Sequence, residues 1–502
     1  MGPAGHRTQL WRRITIGLLL AHLWQVTADE KALQATVTVD PSVTAGAINP
    51  LLFGNNVVAA GGSGPAIWNE EAGELYPAPL EAITQLRPTL LRFPGGGKAS
   101  HYDWRDSVGP KRKESYAFSA FGTDEWLKLC RAVGAEPIFT INWASGNPGL
   151  AAQWVEYCNG AASTRMGARR AKNGHPEPYG VKYWEIGNET YGSARATEYA
   201  HTLDAYAAAM KRVDPSIKVG AVGWAWNGWL NHYHPDTMDW NETVIDVAVD
   251  DIDFFVIHPY AWISDKPESY DAALAQAVLS FPGQFERDLV GIRELCAAHD
   301  APDMPIFATE YNSYFGELGM SAPLVQQVNA VFACGMLNAF ARQGIDAACY
   351  WELLTVGWGH FSNIMHLEAR RLQLRPTYTA LKLYRDEIAG NLIGTQVQCG
   401  RYATKGISTV RAKASEPFLD VIACARGDGK QVVALVWKHA TRAGEVQIRL
   451  PARPAGVTTK LLMATGPYAQ DTHVQETDVD ASGSTVTVQM PPVSAAIAII
   501  EP

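Results

Sequence analysis

Glu189 and Glu310 point most directly to chemistry in this sequence. Each ends or interrupts an apolar run of strand length: VKYWEIG from Val181 leads into Asn188-Glu189, and PIFATEYN from Pro305 contains Glu310. Two carboxyl groups brought to one mouth can split a glycosidic bond. One, as a carboxylic acid, protonates the leaving oxygen while the other attacks the anomeric carbon, and a retaining enzyme holds the pair about 5–5.5 Å apart. The two need opposite protonation states, so their surroundings must differ. Arg92 and Tyr260, at the ends of two further runs, are placed to hydrogen-bond Glu310 and keep it ionised. That leaves Glu310 as the nucleophile and Glu189 as the acid/base, with its pKa expected to be raised by burial and by its negative neighbour. Asn188 is placed to bind the sugar hydroxyl next to the anomeric centre. Asn142, Trp143, His258 and Trp351 complete the candidate substrate-binding set, Trp351 as a floor beneath the sugar ring. A strand-end glutamate by itself is more often a solvated loop carboxylate, and a lone histidine is as readily structural. The joint placement of these residues carries the assignment.

The elements that must position them are eight apolar runs. They begin at Leu51, Thr89, Pro137, Val181, Lys218, Asp253, Pro305 and Asp346. All are apolar on both faces, as buried parallel strands are. Amphipathic stretches fall between them, such as those starting at Thr197, Phe285 and Pro323. Strand–helix alternation repeated eight times predicts a (β/α)₈ TIM barrel over residues 50–388, with its active site at the C-terminal ends of the strands. From residue 389 to 502 the pattern changes to short alternating runs, among them DVIACARG, QVVALVWKH, EVQIRL and STVTVQM, separated by Gly, Pro, Asp and Ser. That predicts a C-terminal antiparallel β-sandwich. Residues 29–49 contain ALQATVTVD, an alternating run expected to add a strand to the same sandwich.

At these residues the sequence resembles glycoside hydrolase family 51, the α-L-arabinofuranosidases. RFPGGGKASHYDWRDSVGP (Arg92 to Pro110), AAQWVEYCNG (Ala151 to Gly160), EIGNE (Glu185 to Glu189), IHPY (Ile257 to Tyr260) and TEYN (Thr309 to Asn312) carry the likeness, which spans the barrel. The resemblance implies a retaining, metal-free, exo-acting hydrolase with Glu189 as acid/base and Glu310 as nucleophile. Its partner would be a plant cell-wall oligosaccharide or polysaccharide. Two positions depart from the family. Its strand-one stretch carries a glutamate that binds sugar hydroxyls, whereas FGNNVVAA (Phe53 to Ala60) has no carboxylate; and Gly97-Lys98 replace an Asn or Cys followed by Phe. Both fall where the −1 sugar would be held, and recognition built on hydroxyl contacts is steep. A β-xylosidase, endo-β-glucanase or β-glucuronidase of the same clan therefore stays open, as does a non-catalytic carbohydrate-binding protein.

Composition bounds the remaining readings. Net charge is −9 and no basic tract is present, so nucleic acid is not an expected partner. Residues 1–28 read as a signal peptide: Arg7, Arg12 and Arg13 precede the apolar run from Ile14 to Trp24. A secreted or periplasmic protein with no membrane association after cleavage is expected, and a homo-oligomer stays open. Seven cysteines without a CxxC pair do not make a zinc site. Cys399 and Cys424 are the pair that an oxidising compartment could join. GGGK (Gly95 to Lys98) lacks the flanking residues of a phosphate loop, and His232 and His234 lack further metal-ligand spacing. No metal or other cofactor is expected. Of 16 tryptophans most are expected in the core, while Trp224, Trp226 and Trp229 cluster where loops border the cleft. In the C-terminal region Trp437 and Tyr468 are the few candidate exposed aromatics, so that region is read as a buttress for the barrel.

Overall fold

The computed structural model describes residues 31–58, 63–113, 119–225, 239–263, 270–315, 322–356, 365–368 and 371–502. The expected leader, Trp226, Trp229, His232 and His234 lie outside the described residues.

Eight parallel strands close into a barrel. In order they are Gly54–Asn56, Leu90–Phe93, Glu136–Ile141, Tyr183–Ile186, Lys218–Val222, Phe254–Val256, Ile306–Phe315 and Ala347–Tyr350. Each pairs with the next, and the eighth returns to the first through Cys349 opposite Gly54 and Tyr350 opposite Asn55. All eight overlap the runs read from sequence; the third begins one residue earlier, at Glu136, and the seventh runs on to Phe315. One feature differs from fully apolar strands. Side chains alternate across a strand, and the inward residues form layers. Leu90, Ile138, Phe254, Phe307 and Cys349 fill the lower interior. One step toward the C-terminal ends, Asn56, Arg92, Thr140, Glu185 and Thr309 make a buried polar layer. The floor of the site is therefore built by the strands themselves.

Outside the barrel, aromatic side chains glue helices to strands. Phe139 packs 4.3 Å from Trp154 and 4.6 Å from Trp126, ring centre to ring centre. Trp154 lies on the helix Pro148–Asn159, which starts at an Asn147 side-chain cap with proline following. Trp104, Trp126, Trp154, Trp184, Trp240 and Trp437 are all fully buried, so most of these large side chains fill core. Trp437 is thus not a surface aromatic; its indole N–H donates to Arg442 O at 2.8 Å.

Eight C-terminal strands and Leu33–Ala47 form one nine-stranded hydrogen-bonded sheet. Leu33–Ala47 joins it, antiparallel to Asn391–Cys399 and parallel to Gly444–Arg449, the one parallel pairing in an otherwise antiparallel sheet. The sheet folds over on itself so that Val37, Val433, Leu435, Ile448 and Val486 share one interior. The barrel helix Gln327–Arg342 docks on it. Gln327 Nε2 donates to Val493 O at 3.0 Å, and Arg342 spans Asp420 and Glu286, each at 2.8 Å. Cys399 and Cys424 do not pair: all seven cysteines are free thiols. Cys424 sits opposite Leu392, at the other end of the strand that ends in Cys399. Seven residues of strand at about 3.3 Å each put the two cysteines far beyond disulfide reach. No helix among the described residues is long and apolar enough to cross a membrane.

Candidate active site

Arg92 organises the mouth of the barrel. It points inward from strand two and is fully buried, so each of its donors must find an acceptor. Nε donates to Glu185 Oε1 at 2.6 Å, Nη1 to Glu310 Oε1 at 2.7 Å and to Asn56 Oδ1 at 3.0 Å, and Nη2 to Asn188 Oδ1 at 2.8 Å. Burial works against the guanidinium charge, but the Glu185 and Glu310 carboxylates outweigh it and raise its pKa further. Thr140 donates a second bond to Glu185 at 2.8 Å, and Asn56 is fixed in turn by donating to Thr309 O at 2.8 Å.

Two local distortions aim the carboxyl groups. In strand seven the pairing slips between Ala308 and Tyr311, which lie opposite Ala348 and Tyr350. Thr309 and Glu310 thus stand opposite the single residue Cys349, a bulge of the kind that re-aims side chains. Both consecutive side chains then reach the same site: Glu310 Oε2 accepts from Tyr260 OH at 2.7 Å, and Thr309 Oγ1 lies 3.0 Å from His258 Nε2. Tyr260 is held there by the short strand Tyr260–Ile263, which runs parallel to Asn312–Phe315. After strand four, Gly187 and Glu189 both take left-handed backbone, at φ +87° and +46°. For a glutamate that conformation is strained, and here it lifts the carboxyl over the mouth.

His258 links the two carboxyl groups. Its Nδ1 lies 3.1 Å from Glu189 Oε1 and 3.8 Å from Glu310 Oε1. One oxygen from each glutamate and one His258 nitrogen all lie within 4.8 Å of one another. Such a trio has the donor set of a metal site, but the Arg92 guanidinium against Glu310 opposes a further cation there. Burial disfavours the His258 imidazolium, yet Glu310 and Glu189 together raise its pKa above the ordinary value. Glu189 behaves oppositely to the sequence expectation. Its side chain is 43% exposed but set deep in the mouth. Burial works against its charge, while His258, Tyr191 and Arg92 outweigh burial and hold it below the usual carboxylate value. His258 contributes most to this, through its hydrogen bond and its charge.

A family model for the α-L-arabinofuranosidase 1 domain matches residues 82–272. A probable α-L-arabinofuranosidase C of Aspergillus terreus is 30% identical, covering 76% of this chain and 79% of that protein. Two solved structures superpose with a TM-score of 0.78 at 27% identity, covering 93% of this chain and all of theirs: an α-L-arabinofuranosidase from Thermotoga maritima in complex with arabinose, and the thermostable family 51 enzyme of Thermotoga petrophila. The chain belongs to the family 51 α-L-arabinofuranosidases. As a member it is a retaining glycoside hydrolase.

Within this family 51 chain the structure gathers Arg92, Asn188, Glu189, His258, Tyr260 and Glu310 into one network. Trp351 lies beside them. Its ring packs so closely on the Pro-Gly-Gly turn that a Cβ at Gly96 would lie 2.6 Å from Trp351 Cη2. Asn142 does not join the network. Its amide donates to Tyr102 O and Ser145 Oγ and accepts from Ser145 N at 3.0 Å, so it shapes the loop after strand three. Trp143 is half-buried, with its indole N–H donating to Thr202 Oγ1 at 2.8 Å and its ring edge-on to Tyr199. Trp224 is buried against Tyr191, with ring centres 4.3 Å apart, and forms part of a structural cluster. Asn56, Glu185, Thr309 and Glu352 belong to the site and were not singled out from sequence. Glu185 carried a signal, since a charge inside an otherwise apolar strand requires a buried partner.

Proposed function

We propose that the chain is an exo-acting α-L-arabinofuranosidase that removes terminal arabinose from plant cell-wall oligosaccharides, with Glu310 as nucleophile and Glu189 as acid/base. The carboxyl oxygens of the two within 4.8 Å of each other support this most directly, since that spacing suits direct attack and leaves too little room for a water between. Arabinose is also the sugar described with the Thermotoga maritima relative.

Arg92 and Tyr260 each take one oxygen of Glu310 and so fix the attacking carboxylate. Glu310 attacks the anomeric carbon as the leaving oxygen takes a proton from Glu189. His258 Nδ1, 3.1 Å from Glu189 Oε1, is placed to hand that proton to Glu189 as the leaving oxygen arrives. In the second half, Glu189 deprotonates the water that cleaves the glycosyl–enzyme ester. Asn188 spends its Oδ1 on Arg92 and leaves its buried Nδ2 without a partner, a donor suited to the hydroxyl beside the anomeric centre.

Aryl glycosides test the assignment: α-L-arabinofuranoside, β-D-xyloside, β-D-glucoside and β-D-glucuronide, with wild type beside Glu310→Ala and Glu189→Ala. Selective cleavage of the arabinofuranoside, lost by orders of magnitude in both variants, is the expected outcome. Cleavage of another sugar instead would transfer the reading to the matching clan relative.

The signal-like segment over residues 1–28 supports a secreted or periplasmic location. N-terminal sequencing of the full chain after expression tests it. A start near Asp29 is expected, and an intact Met1 on cytoplasmic protein would contradict it.

A further inference from the structure

A pocket of about 240 Å³ lies on the seam between the barrel and the C-terminal sheet, and no residue of the catalytic network lines it. The helices Phe281–Ala298 and Gln327–Arg342 form one side, through Pro282, Gly283, Phe332 and Gly335. The hairpin of strands Arg401–Thr404 and Lys413–Pro417, together with the sheet strand Gln431–Trp437, forms the other. That volume suits a single sugar unit rather than a larger ligand. Gly283 keeps it open: a Cβ there would lie 3.0 Å from Glu416 Oε1 and 3.5 Å from Glu416 Oε2.

The buried and the exposed parts of the pocket differ in charge. On the buried side, Lys438 and Glu416 are 5% and 3% exposed, and Lys438 Nζ donates to Glu416 Oε1 at 2.8 Å. An ammonium has three donors and a carboxylate two acceptor oxygens. That single bond leaves two N–H groups of Lys438 and Oε2 of Glu416 unspent. On the exposed side stand Arg287 and Arg401, and neither meets a carboxylate. Arg401 donates only to Ser415, to Oγ at 2.6 Å and to the carbonyl at 3.2 Å. Arg287 makes no hydrogen bond or ion pair among the described residues. The remaining cation of the lining, Arg342, is spent on Glu286 and Asp420. The surplus is felt next door. Burial first, and then the charges of Arg287 and Arg411, push the Lys413 ammonium down to about 8 against the opposing pull of Glu416 and Asp288.

We propose that this seam pocket is a second, non-catalytic binding site for a carboxylated sugar, a hexuronate, whose carboxylate meets Arg287 and Arg401 while its ring hydroxyls exchange hydrogen bonds with Lys438 and Glu416. A guanidinium fork pairs with a carboxylate through two parallel bonds. Phe332 and Val436 offer apolar surface to the CH-rich face of the ring. A ligand charged at both ends would be repelled by Glu416 and Asp420, and a neutral sugar would leave both guanidinium groups unmatched. A free hexuronate and the end of an acidic oligosaccharide present the same chemistry. The site is independent of the sugar cleaved at the barrel mouth.

Isothermal titration calorimetry of the full chain with D-galacturonate tests this, beside D-galactose, acetate, galactose 6-phosphate and trigalacturonate. Wild type is expected to bind galacturonate at least about tenfold more tightly than galactose or acetate, since only the uronate carries both the charge and the hydroxyls. The double variant Arg287→Ala with Arg401→Ala is expected to lose about tenfold or more in affinity for galacturonate. Its Tm and its hydrolysis of aryl glycosides should match wild type, because both side chains are exposed and neither belongs to the catalytic network. Arg287→Ala alone breaks no bond within the fold, and a loss of about fivefold is expected from it. Tighter binding of trigalacturonate than of the monomer would support the site and name a chain end as its occupant; the reverse order would support it with the free sugar. Three results overturn the assignment: no binding of galacturonate by wild type, undiminished binding by the double variant, or galactose or acetate bound as tightly as galacturonate. Tighter binding of galactose 6-phosphate than of galacturonate also overturns it, in favour of phosphorylated sugars.

Discussion

Arg92 donates to Glu310 from Nη1 at 2.7 Å and to Glu185 from Nε at 2.6 Å, so the side chain that orients the reactive carboxylate is itself held from below by a second one. Glu185 acts through Arg92 and is a positioning residue. Glu185→Ala would leave the buried guanidinium short of a partner, and a loss of about 3–5 kcal/mol in unfolding free energy by urea titration is expected. Glu185→Gln keeps the shape and should lose less. In both, kcat should fall further than KM changes, because the aim of Glu310 is disturbed.

Tyr260 donates one hydrogen bond to Glu310 Oε2, at 2.7 Å. Tyr260→Phe should lower kcat by about 10–100-fold, the worth of a hydrogen bond to a charged group. Its Tm should stay close to that of wild type. A Tm drop of many degrees would mean that the hydroxyl holds the fold rather than the nucleophile.

The His258–Glu189 pair sets a pH dependence with a definite sign. The last proton of the pair leaves in a step that belongs to both residues, and His258, raised above its ordinary 6.5, places that step on the alkaline side of 6.5. His258→Gln removes the imidazole and leaves Glu189 to hold the proton alone, so the alkaline limb of kcat/KM should move to lower pH. Stability follows the same logic. Raised in the fold, His258 stabilises fully below 6.5, and that contribution fades as pH rises through its folded value. Glu189, lowered in the fold, stabilises above 4.5, and its contribution is lost as pH falls through its folded value. Urea midpoints across pH should therefore flatten in His258→Gln at both ends. An unmoved alkaline limb would separate His258 from the acid/base.

Gly96 owes its place to Trp351. With φ at +61° and a would-be Cβ 2.6 Å from Trp351 Cη2, Gly96→Ala meets both backbone strain and an aromatic ring. A cost of about 1–3 kcal/mol is expected, together with a lowered kcat/KM as the indole shifts beside the mouth.

Much of this was readable from sequence because barrel strands announce themselves as short apolar runs, and polar residues in or just past the C-terminal half of a run fall at the mouth. Arg92, Glu189, His258, Tyr260 and Glu310 were legible for that reason. The inner polar layer was not. For Glu185 and Asn56, only the closed barrel shows that the side chains point inward beneath the mouth. Asn142 obeyed the strand-end rule and yet turns back to cap its own loop, a choice made by Ser145 three residues on. The state of Glu189 depended on the His258 ring lying between two carboxyl groups, a relation across strands that spacing in sequence does not contain.

The central claim is the division of labour between Glu310 and Glu189, and azide rescue tests it most directly. With an activated aryl α-L-arabinofuranoside, Glu310→Gly in azide should form the β-configured arabinofuranosyl azide, because azide displaces the leaving group directly from the face that the nucleophile left empty. Glu189→Ala in azide should form the α-configured azide, since Glu310 still makes the glycosyl–enzyme and azide then opens it with a second inversion. Opposite anomers from the two variants are the predicted result. The same anomer from both, or undiminished hydrolysis by Glu310→Gly, would contradict the assignment.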